Sequence, residues 1–103
     1  MAKHKFLMHE KGDSVGVAVE DIKKGEKVLG AFLEGDDVVE VTSQADIPLG
    51  HKIAVKAVKA GQDVIKYNVK IGVATKDIAV GDWVHTHNLR GDRWGKEASK
   101  NKK

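Results

Sequence analysis

One eight-residue pattern, Asp-Ile-x-x-Gly-x-x-(Val/Ile), recurs along this chain and constrains its fold more than any other feature. Copies span residues 21–28, 46–53 and 77–84, and a degenerate copy in which Ala replaces the Asp spans residues 57–64. Each copy predicts a strand end, a tight turn in which Gly takes a positive φ angle, and the start of a new strand. The recurring Asp is predicted to cap the turn and not to act in catalysis. Spacings of 25, 11 and 20 residues between the glycines are too irregular for a solenoid and indicate one compact unit.

Short runs rich in β-branched residues lie between these turns. They cover residues 15–19, 38–42, 53–58, 64–67, 71–74 and 83–87, and their residue types are typical of strands. No window of about 11 residues or more shows a sustained helical period, so long helices are not expected. Residues 34–37 predict a hairpin between the runs at 28–33 and 38–39. The predicted fold class is therefore all-β, a small domain of short strands and glycine turns.

The charge of the chain is unevenly distributed. The 103 residues allow one small domain with a formal net charge of +3, but the residues from Arg90 onward carry +4 and the preceding 89 carry −1. We therefore expect a folded domain at residues 1–94 followed by a disordered basic tail at residues 95–103. A chain with a nearly neutral body and only five aromatic residues in all is not typical of nucleic-acid binding, so no nucleic acid is expected as a partner.

Features missing from the sequence exclude several kinds of chemistry. The absence of cysteine excludes disulfides, thiolate nucleophiles and Cys-ligated zinc. No apolar stretch approaches the roughly 18–20 residues of a membrane span, and the N-terminus lacks the apolar segment of a signal peptide. We therefore expect a cytoplasmic protein with no membrane partner. Because so short a chain builds only a modest core, we also expect it to be a subunit of a larger assembly.

Two histidines stand one residue apart in His85-Thr-His-Asn88, within the predicted strand at residues 83–87. Side chains at positions i and i+2 of a strand point to the same face, so His85 and His87 are expected to stand side by side. Two imidazoles placed in this way can supply two ligands to a divalent metal, or one ligand and one acid–base group. The alternative is a pair of solvated surface histidines, because two ligands without a third do not complete a metal site.

Two further clusters carry polar side chains at the ends of predicted strands. Gly50-His51-Lys52 follows the only proline, at a turn, where the ammonium group of Lys52 could attract an anion and His51 could move a proton. The alternative is a turn whose polar side chains are merely solvated. Lys66 and Tyr67 end an apolar strand and could hold substrate oxygens, although a tyrosine in this position often only covers the core.

Taken in order, these clusters resemble the SAF-type (β-clip) domain of the altronate dehydratase family. The matching segments are Met8-His-Glu-Lys-Gly-Asp-Ser-Val-Gly-Val17, Asp46-Ile-Pro-Leu-Gly-His-Lys-Ile53, Val64-Ile-Lys-Tyr67, Ile71-Gly72 and His85-Thr-His-Asn-Leu89. The resemblance covers about residues 5–94. In that family the domain is either the N-terminal part of a sugar-acid dehydratase or a separate small subunit. Within it, the length and the ending at residues 87–94 resemble the small subunits of lyases that split (2R)-3-sulfolactate into pyruvate and sulfite.

The resemblance implies a lyase reaction and roles for individual residues. A base removes the proton α to a carboxylate, a metal stabilises the enediolate, and a β-substituent departs as sulfite or water. The implied partners are a large catalytic subunit, in a hetero-oligomer, and a small anionic hydroxy acid. The implied cofactor is a divalent metal (iron, manganese or magnesium) held mainly by the large subunit. The roles implied for this chain are catalysis by His51 and His87, metal binding by His85 and His87, and substrate binding by Lys52, Lys66, Tyr67 and Asn88.

Two other functions stay open at this point. The chain could be the small subunit or N-terminal-type domain of a dehydratase acting on altronate or galactarate. It could also be a binding module without catalytic activity, since SAF-like domains occur in antifreeze-like and in pilus or flagellar assembly proteins. The His-x-His-Asn segment and the Gly-His-Lys turn favour a catalytic role, because a purely structural domain has no need of them.

Overall fold

The computed structural model describes residues 4–33, 35, 37–67 and 69–91. These residues form β-strands and no helix, so the prediction of an all-β domain is confirmed. It follows that no helix in this part of the chain has the length and apolar character needed to cross a membrane. The strands are β1 (His4–Met8), β2 (Val15–Ala18), β3 (Lys27–Phe32), β4 (Val38–Thr42), β5 (Lys52–Ala54), β6 (Asp63–Lys66), β7 (Val69–Ala74), β8 (Trp83–Val84) and β9 (Leu89–Gly91).

The strands are arranged in two sheets. The larger sheet has six strands in the order β4-β3-β1-β2-β5-β8, and the smaller has three in the order β6-β7-β9. All pairs are antiparallel except β1 and β3, which run parallel. The predicted hairpin is confirmed by the antiparallel pairing of β3 with β4, although Glu34 and Asp36 of its turn lie outside the described residues.

Each copy of the repeated pattern builds the same turn. The glycine has a φ angle between 87° and 91°, and the N–H of the residue after it donates to the carbonyl three positions earlier at 2.9–3.0 Å. Glycine adopts this conformation without the steric cost that a side chain would bring, which explains its recurrence. The four glycines are Gly25, Gly50, Gly61 and Gly81.

The recurring aspartates hold the first two turns together. Asp21 Oδ1 accepts a hydrogen bond from the Leu49 N–H at 2.9 Å, and Asp46 Oδ1 accepts one from the Lys24 N–H at 2.8 Å. The first turn therefore caps the second and is capped by it in return. This reciprocal bonding confirms that these aspartates are turn caps.

The third and fourth turns repeat this arrangement with one bond fewer. Asp77 Oδ1 accepts from the Ala60 N–H at 2.9 Å, which confirms the third predicted cap. Ala57 stands where the other copies have Asp and has no side-chain acceptor to return the bond. A backbone bridge between Val58 and Ile78 still joins the two turns.

Two clusters of buried apolar side chains form the core. The first consists of Phe6, Met8, Ala18, Ile22, Val28, Val41, Ile47 and Ile53. The second joins the two sheets and consists of Val15, Ala54, Val58, Val64, Ala74, Ile78 and Val84. Phe6 is fully buried and occupies the space beside two glycines: a Cβ at Gly16 would lie 2.7 Å from its ring, and one at Gly30 would overlap it.

The two sheets are also joined by hydrogen bonds at Ser14, just before β2. The Ser14 N–H donates to the Ile65 carbonyl at 2.8 Å, and the Ile65 N–H donates to Ser14 Oγ at 3.2 Å. Ser14 is buried, so these bonds are shielded from water. They fix the position of β6, and of the residues that follow it, relative to the larger sheet.

Two predicted strands end earlier than the sequence pattern suggests. The run at residues 53–58 leaves the sheet after Ala54. The Val55 N–H still donates to the Ser14 carbonyl at 2.8 Å, but the Ser14 N–H donates to the Ile65 carbonyl and does not return the bond to Val55. The run at residues 83–87 ends at Val84, where a turn begins. Strands β1 and β9 were not among the predicted runs. The predicted tail at residues 95–103 lies outside the described residues.

Candidate functional site

The second and fourth turns bring two of the predicted clusters together. Strands β5 and β8 follow these turns and pair antiparallel, with Lys52 opposite Val84 and Ile53 opposite Trp83. His51 immediately precedes β5, and His85 immediately follows β8. Residues that are more than thirty positions apart in the chain (51 and 85) therefore meet at the β8 edge of the larger sheet.

Trp83 is the centre of a group of histidine rings, called here the histidine patch (His51, Trp83, His85 and His87). The centroid of the Trp83 ring lies 5.7 Å from that of His51, 5.5 Å from that of His85 and 5.1 Å from that of His87. The His85 ring is nearly parallel to the indole, at 8°, and the rings of His51 and His85 are 4.7 Å apart. The structure thus gathers all three histidines that the sequence singled out.

A hydrogen bond fixes which nitrogen of His51 carries its proton. Trp83 Nε1 donates to His51 Nδ1 at 3.1 Å. An indole N–H is only a donor, so Nδ1 must be the accepting nitrogen, and the neutral imidazole carries its proton on Nε2. His51 therefore offers an N–H donor with its other nitrogen, which is suited to an anionic oxygen or to proton donation.

The segment from His85 to Asn88 is a turn. The His85 carbonyl accepts from the N–H groups of Asn88 and Leu89, at 3.1 and 2.9 Å. The buried Asn88 side chain accepts from the His85 N–H and donates to the Trp83 carbonyl, each at 2.9 Å. These bonds occupy backbone groups that a longer strand would use in its ladder.

This turn corrects one prediction. His85 and His87 do not stand side by side on a strand, because β8 has already ended at Val84. Both share the indole of Trp83 instead. The amide of Asn88 is engaged at both ends by backbone groups of its own turn, so it holds the turn that carries the two histidines. Its contact with substrate stays a prediction.

Burial and positive charge control two titratable groups of the site. The pKa of His85 is lowered, mainly by burial and further by electrostatic interactions with His51, Lys52 and His87. The pKa of Lys52 is lowered by burial and by the positive charge of Lys66. His85 is therefore neutral at pH 7, and the two ammonium groups lie within electrostatic reach of each other.

Lys66 and Tyr67 form a second group, on the smaller sheet. Lys66 Nζ lies 4.3 Å from the centroid of the Tyr67 ring, a cation–π contact, and the His9 ring packs on the same tyrosine at 3.6 Å. Tyr67 has a φ angle of 59° and its N–H donates to the buried Asp13 carboxylate at 2.9 Å. Tyr67 is 52% exposed, so it does not cover the core. A bulky residue held at positive φ is strained and is typical of a functional site.

The side chains in the described part of the chain do not by themselves form a complete metal site. No group of three or more His, Asp or Glu residues placed to share one ion occurs among residues 4–33, 35, 37–67 and 69–91. His51 has one nitrogen engaged by Trp83, which leaves His85 and His87 as the predicted pair. The remaining ligands of any metal at this patch would have to come from another chain.

Trp83, His9 and Asp13 are parts of the site for which the sequence pattern predicts no role. Trp83 stands two residues before His85, so strand alternation was a signal that the two rings share a face. Its bond to His51 depends on the pairing of β5 with β8, which no local pattern shows. Asp13 gives no signal of its contact with Tyr67, because the two residues are joined only by the tertiary fold.

Comparison with protein families gives one match that covers most of the chain. The sequence model described as "Altronate/galactarate dehydratase SAF domain" matches residues 4–92. This interval contains the histidine patch, Lys52, Lys66 and Tyr67. The resemblance inferred from the order of the motifs is thereby confirmed.

Comparison with individual proteins gives relatives of two kinds. The chain is similar to the (2R)-sulfolactate sulfo-lyase subunit alpha of Chromohalobacter salexigens, with 36% identity over 86% of this chain and 96% of the relative. It is also similar to the protein of the same name from Paracoccus pantotrophus, with 56% identity over 52% of this chain and 81% of the relative. The altronate dehydratase of Bacillus subtilis is 37% identical over 82% of this chain, but this match spans only 16% of that longer protein.

Proposed function

The chain belongs to the altronate/galactarate dehydratase SAF-domain family, and from this premise we propose that it is the small subunit of a two-subunit, metal-dependent lyase. The proposed reaction is the cleavage of (2R)-3-sulfolactate to pyruvate and sulfite. A large subunit holds most of the active site and the metal, and this chain completes the site across the subunit boundary. The name of two relatives, subunit alpha of a sulfo-lyase, supports both the reaction and the partner.

The observation that carries the proposal is the grouping of cationic and imidazole side chains in a body of nearly zero net charge. The positive charge of Lys66 lowers the pKa of Lys52, and that of Lys52 lowers the pKa of His85, so these groups form one electrostatic unit. Sulfolactate carries a carboxylate and a sulfonate. A region lined with ammonium groups and N–H donors suits such a dianion.

The reaction needs a proton acceptor and a proton donor. The acceptor removes the proton from the carbon that bears the hydroxyl group, and sulfite then leaves with the electron pair of the C–S bond. The resulting enol takes up a proton at its terminal carbon, releases the proton of its hydroxyl group and becomes pyruvate. His85 is neutral at pH 7 and can accept a proton, whereas the Nε2–H of His51 can donate to a substrate oxygen. His87 is the most exposed of the three rings and is the one that we assign to contact with the large subunit's site.

The first experiment is reconstitution of the two subunits. The purified chain and its large subunit, each alone and then mixed, are supplied with iron, manganese or magnesium and with (2R)-3-sulfolactate, and sulfite and pyruvate are measured. Neither subunit alone is expected to turn over, and the mixture is expected to release both products in equal amounts. Failure to release sulfite with any of the three metals would rule out the sulfo-lyase reaction.

Replacement of His87 by Ala tests the catalytic role of this chain. Loss of an acid–base group or a metal ligand is expected to lower kcat of the complex by about 10²-fold or more, while the thermal unfolding midpoint of the chain stays unchanged because His87 is exposed. The matched control is His4→Ala, a histidine at the exposed start of β1 that contributes nothing to the site. Wild-type turnover by the His87→Ala complex would favour a binding module without catalytic function.

A dehydratase is the second candidate, because the altronate dehydratase relative is also similar to most of this chain. The same side chains serve this reaction if the departing group is hydroxide, which leaves more readily when a donor such as His51 protonates it. Assays of the reconstituted complex with altronate and galactarate distinguish the two reactions. A 2-keto acid formed from either sugar acid, with none from sulfolactate, would establish the dehydratase.

A further inference from the structure

Three of the four copies of the repeated turn contain a second hydrogen bond, made by a side chain. In these copies, the side chain of the residue after the glycine accepts from the N–H of the residue three positions earlier. Glu26 accepts from Lys23 at 3.0 Å and Gln62 accepts from Lys59 at 2.9 Å. Asp82 likewise accepts from Ala79 at 2.8 Å in the fourth copy. This position, which we call the cap position, is thus occupied by a capping side chain in three of the four turns.

The second turn differs in both the donor and the acceptor of this side-chain hydrogen bond. Its cap position is His51, and the residue three positions earlier is Pro48, which has no N–H to donate. The backbone is otherwise the same: the His51 N–H donates to the Pro48 carbonyl at 3.0 Å, and Gly50 has a φ angle of 88°. Pro48 therefore changes the hydrogen bonding of this turn without changing its shape.

We infer that Pro48 is a positioning residue for His51. By withholding the backbone N–H that would draw Nδ1 into the turn, it leaves that nitrogen to accept from Trp83 Nε1, at 3.1 Å. The indole thus takes the place of the missing donor and fixes the proton of the neutral imidazole on Nε2. This explains why the only proline of the chain stands at this position in this copy of the repeat.

The inference deepens the proposed function and rests on it in one respect. The position and tautomer of His51 follow from the bonds of this chain, whereas the use of its Nε2–H toward a hydroxy-acid anion depends on the lyase assignment. The two parts can be measured separately, one in the free chain and the other in the reconstituted complex.

The test is Pro48→Ala, which restores the N–H donor. In the full-length chain, nuclear magnetic resonance follows the Trp83 indole N–H and the ring nitrogens of His51, with the indole signal assigned by Trp83→Phe. Because a hydrogen bond has only modest net strength, we expect the share of His51 bonded to Trp83 to fall by about fivefold. In the complex we expect kcat to fall by about the same factor, and the thermal unfolding midpoint to change little because a cap replaces the proline.

Two further variants separate positioning from general effects on the turn. Lys59→Pro removes the corresponding N–H from the third turn; it is expected to lower the thermal midpoint and to leave the His51 and Trp83 signals unchanged. Trp83→Phe removes the indole donor but keeps an aromatic ring, and it is expected to shift the His51 ring nitrogens toward the pattern of a mixture of tautomers. This second variant tests the same bond even if Pro48→Ala does not fold.

The outcomes are distinct. Wild-type His51 and Trp83 signals in Pro48→Ala would show that the proline does not control the imidazole, and the inference would be wrong. It would be wrong as well if Lys59→Pro perturbed His51 as strongly as Pro48→Ala does. Altered signals in Pro48→Ala, in a chain whose wild-type complex has no lyase activity, would support the role of Pro48 and refute the proposed function.

Discussion

At the scale of single residues, two neighbouring histidines are controlled by different interactions. A hydrogen bond from Trp83 determines the tautomer of His51, whereas burial and nearby positive charge lower the pKa of His85. Their rings are only 4.7 Å apart. Two histidines that lie side by side can therefore have different roles in proton transfer, one as donor and the other as acceptor.

The lowered pKa of His85 predicts how stability responds to pH. The ordinary pKa is 6.5, so between that value and the lower folded pKa the unfolded chain binds more protons at this residue than the folded chain does. The contribution of His85 to stability is therefore full above pH 6.5 and is lost as the pH falls through this window. Thermal midpoints measured from about pH 8 to about pH 5 are expected to fall less steeply for His85→Gln than for the wild type.

The control for this prediction is His4→Gln, at an exposed position on β1. Its midpoints are expected to follow the wild-type curve across the same pH range. If His85→Gln also follows the wild-type curve, the burial and charge around His85 do not affect its protonation.

At the scale of elements, the glycine turns were predictable and the strand ends were not. Gly25, Gly50, Gly61 and Gly81 stand at a fixed place in a recurring pattern, and the local requirement for positive φ is visible in the sequence alone. The ends of β5 and β8 depend on Ser14 and Asn88, whose hydrogen bonds compete with the ladder. A β-branched run predicts that a strand exists, but its end is determined by partners elsewhere in the fold.

A pair of glycine substitutions separates backbone strain from steric overlap. Gly25 and Gly81 have similar φ angles, 87° and 91°, so alanine at either position costs about 1–2 kcal/mol in strain. A Cβ at Gly25 meets no atom within 4 Å, whereas one at Gly81 would overlap the carbonyl oxygen of Thr42. Gly81→Ala is therefore expected to cost a further ~1–3 kcal/mol or more in the free energy of unfolding.

Urea unfolding of both variants checks this expectation. Gly61→Ala is a second reference, because its glycine also has a φ of 88° and open space where a Cβ would be. Equal losses in Gly25→Ala and Gly81→Ala would mean that the chain near Thr42 relaxes without cost.

At the scale of the whole molecule, the candidate site spans both sheets. Lys52 belongs to the larger sheet and Lys66 to the smaller one, and the buried Ser14 holds the two sheets in register through Ile65. The sequence showed which residues were candidates, because His51, Lys52, Lys66, Tyr67 and the His-x-His segment were all singled out. It did not show that they form two adjoining groups, since that depends on pairings between distant strands and on a tryptophan between the histidines.

Removal of one charge tests whether the two sheets act as one electrostatic unit. In Lys66→Gln, loss of the positive charge is expected to raise the pKa of Lys52 toward its ordinary value of 10.5, since Lys66 is one of the two causes of its lowering. Titration of the Lys52 side chain by nuclear magnetic resonance measures this directly. In the reconstituted complex the same variant is expected to raise KM for the dianionic substrate more than it lowers kcat.

The control is Lys24→Gln, which removes an exposed lysine from the first turn and leaves the two sheets' contact unchanged. Its Lys52 titration and its KM are expected to match those of the wild type. A Lys52 pKa that does not respond to Lys66→Gln would show that the two ammonium groups are electrostatically independent.

The four near-identical turns also have a consequence for engineering. A protein that repeats one turn four times has four similar positions for a side chain after the turn glycine. The second turn shows how one of these positions can carry a histidine instead of a capping side chain. This change needs two substitutions: a proline replaces the residue that donates the backbone N–H, and a histidine replaces the residue that supplies the capping oxygen. Written into the first turn as Lys23→Pro and Glu26→His, the same pair would present a second imidazole away from the original site, and it would also remove the ion pair between Glu26 and Lys5 at 2.7 Å.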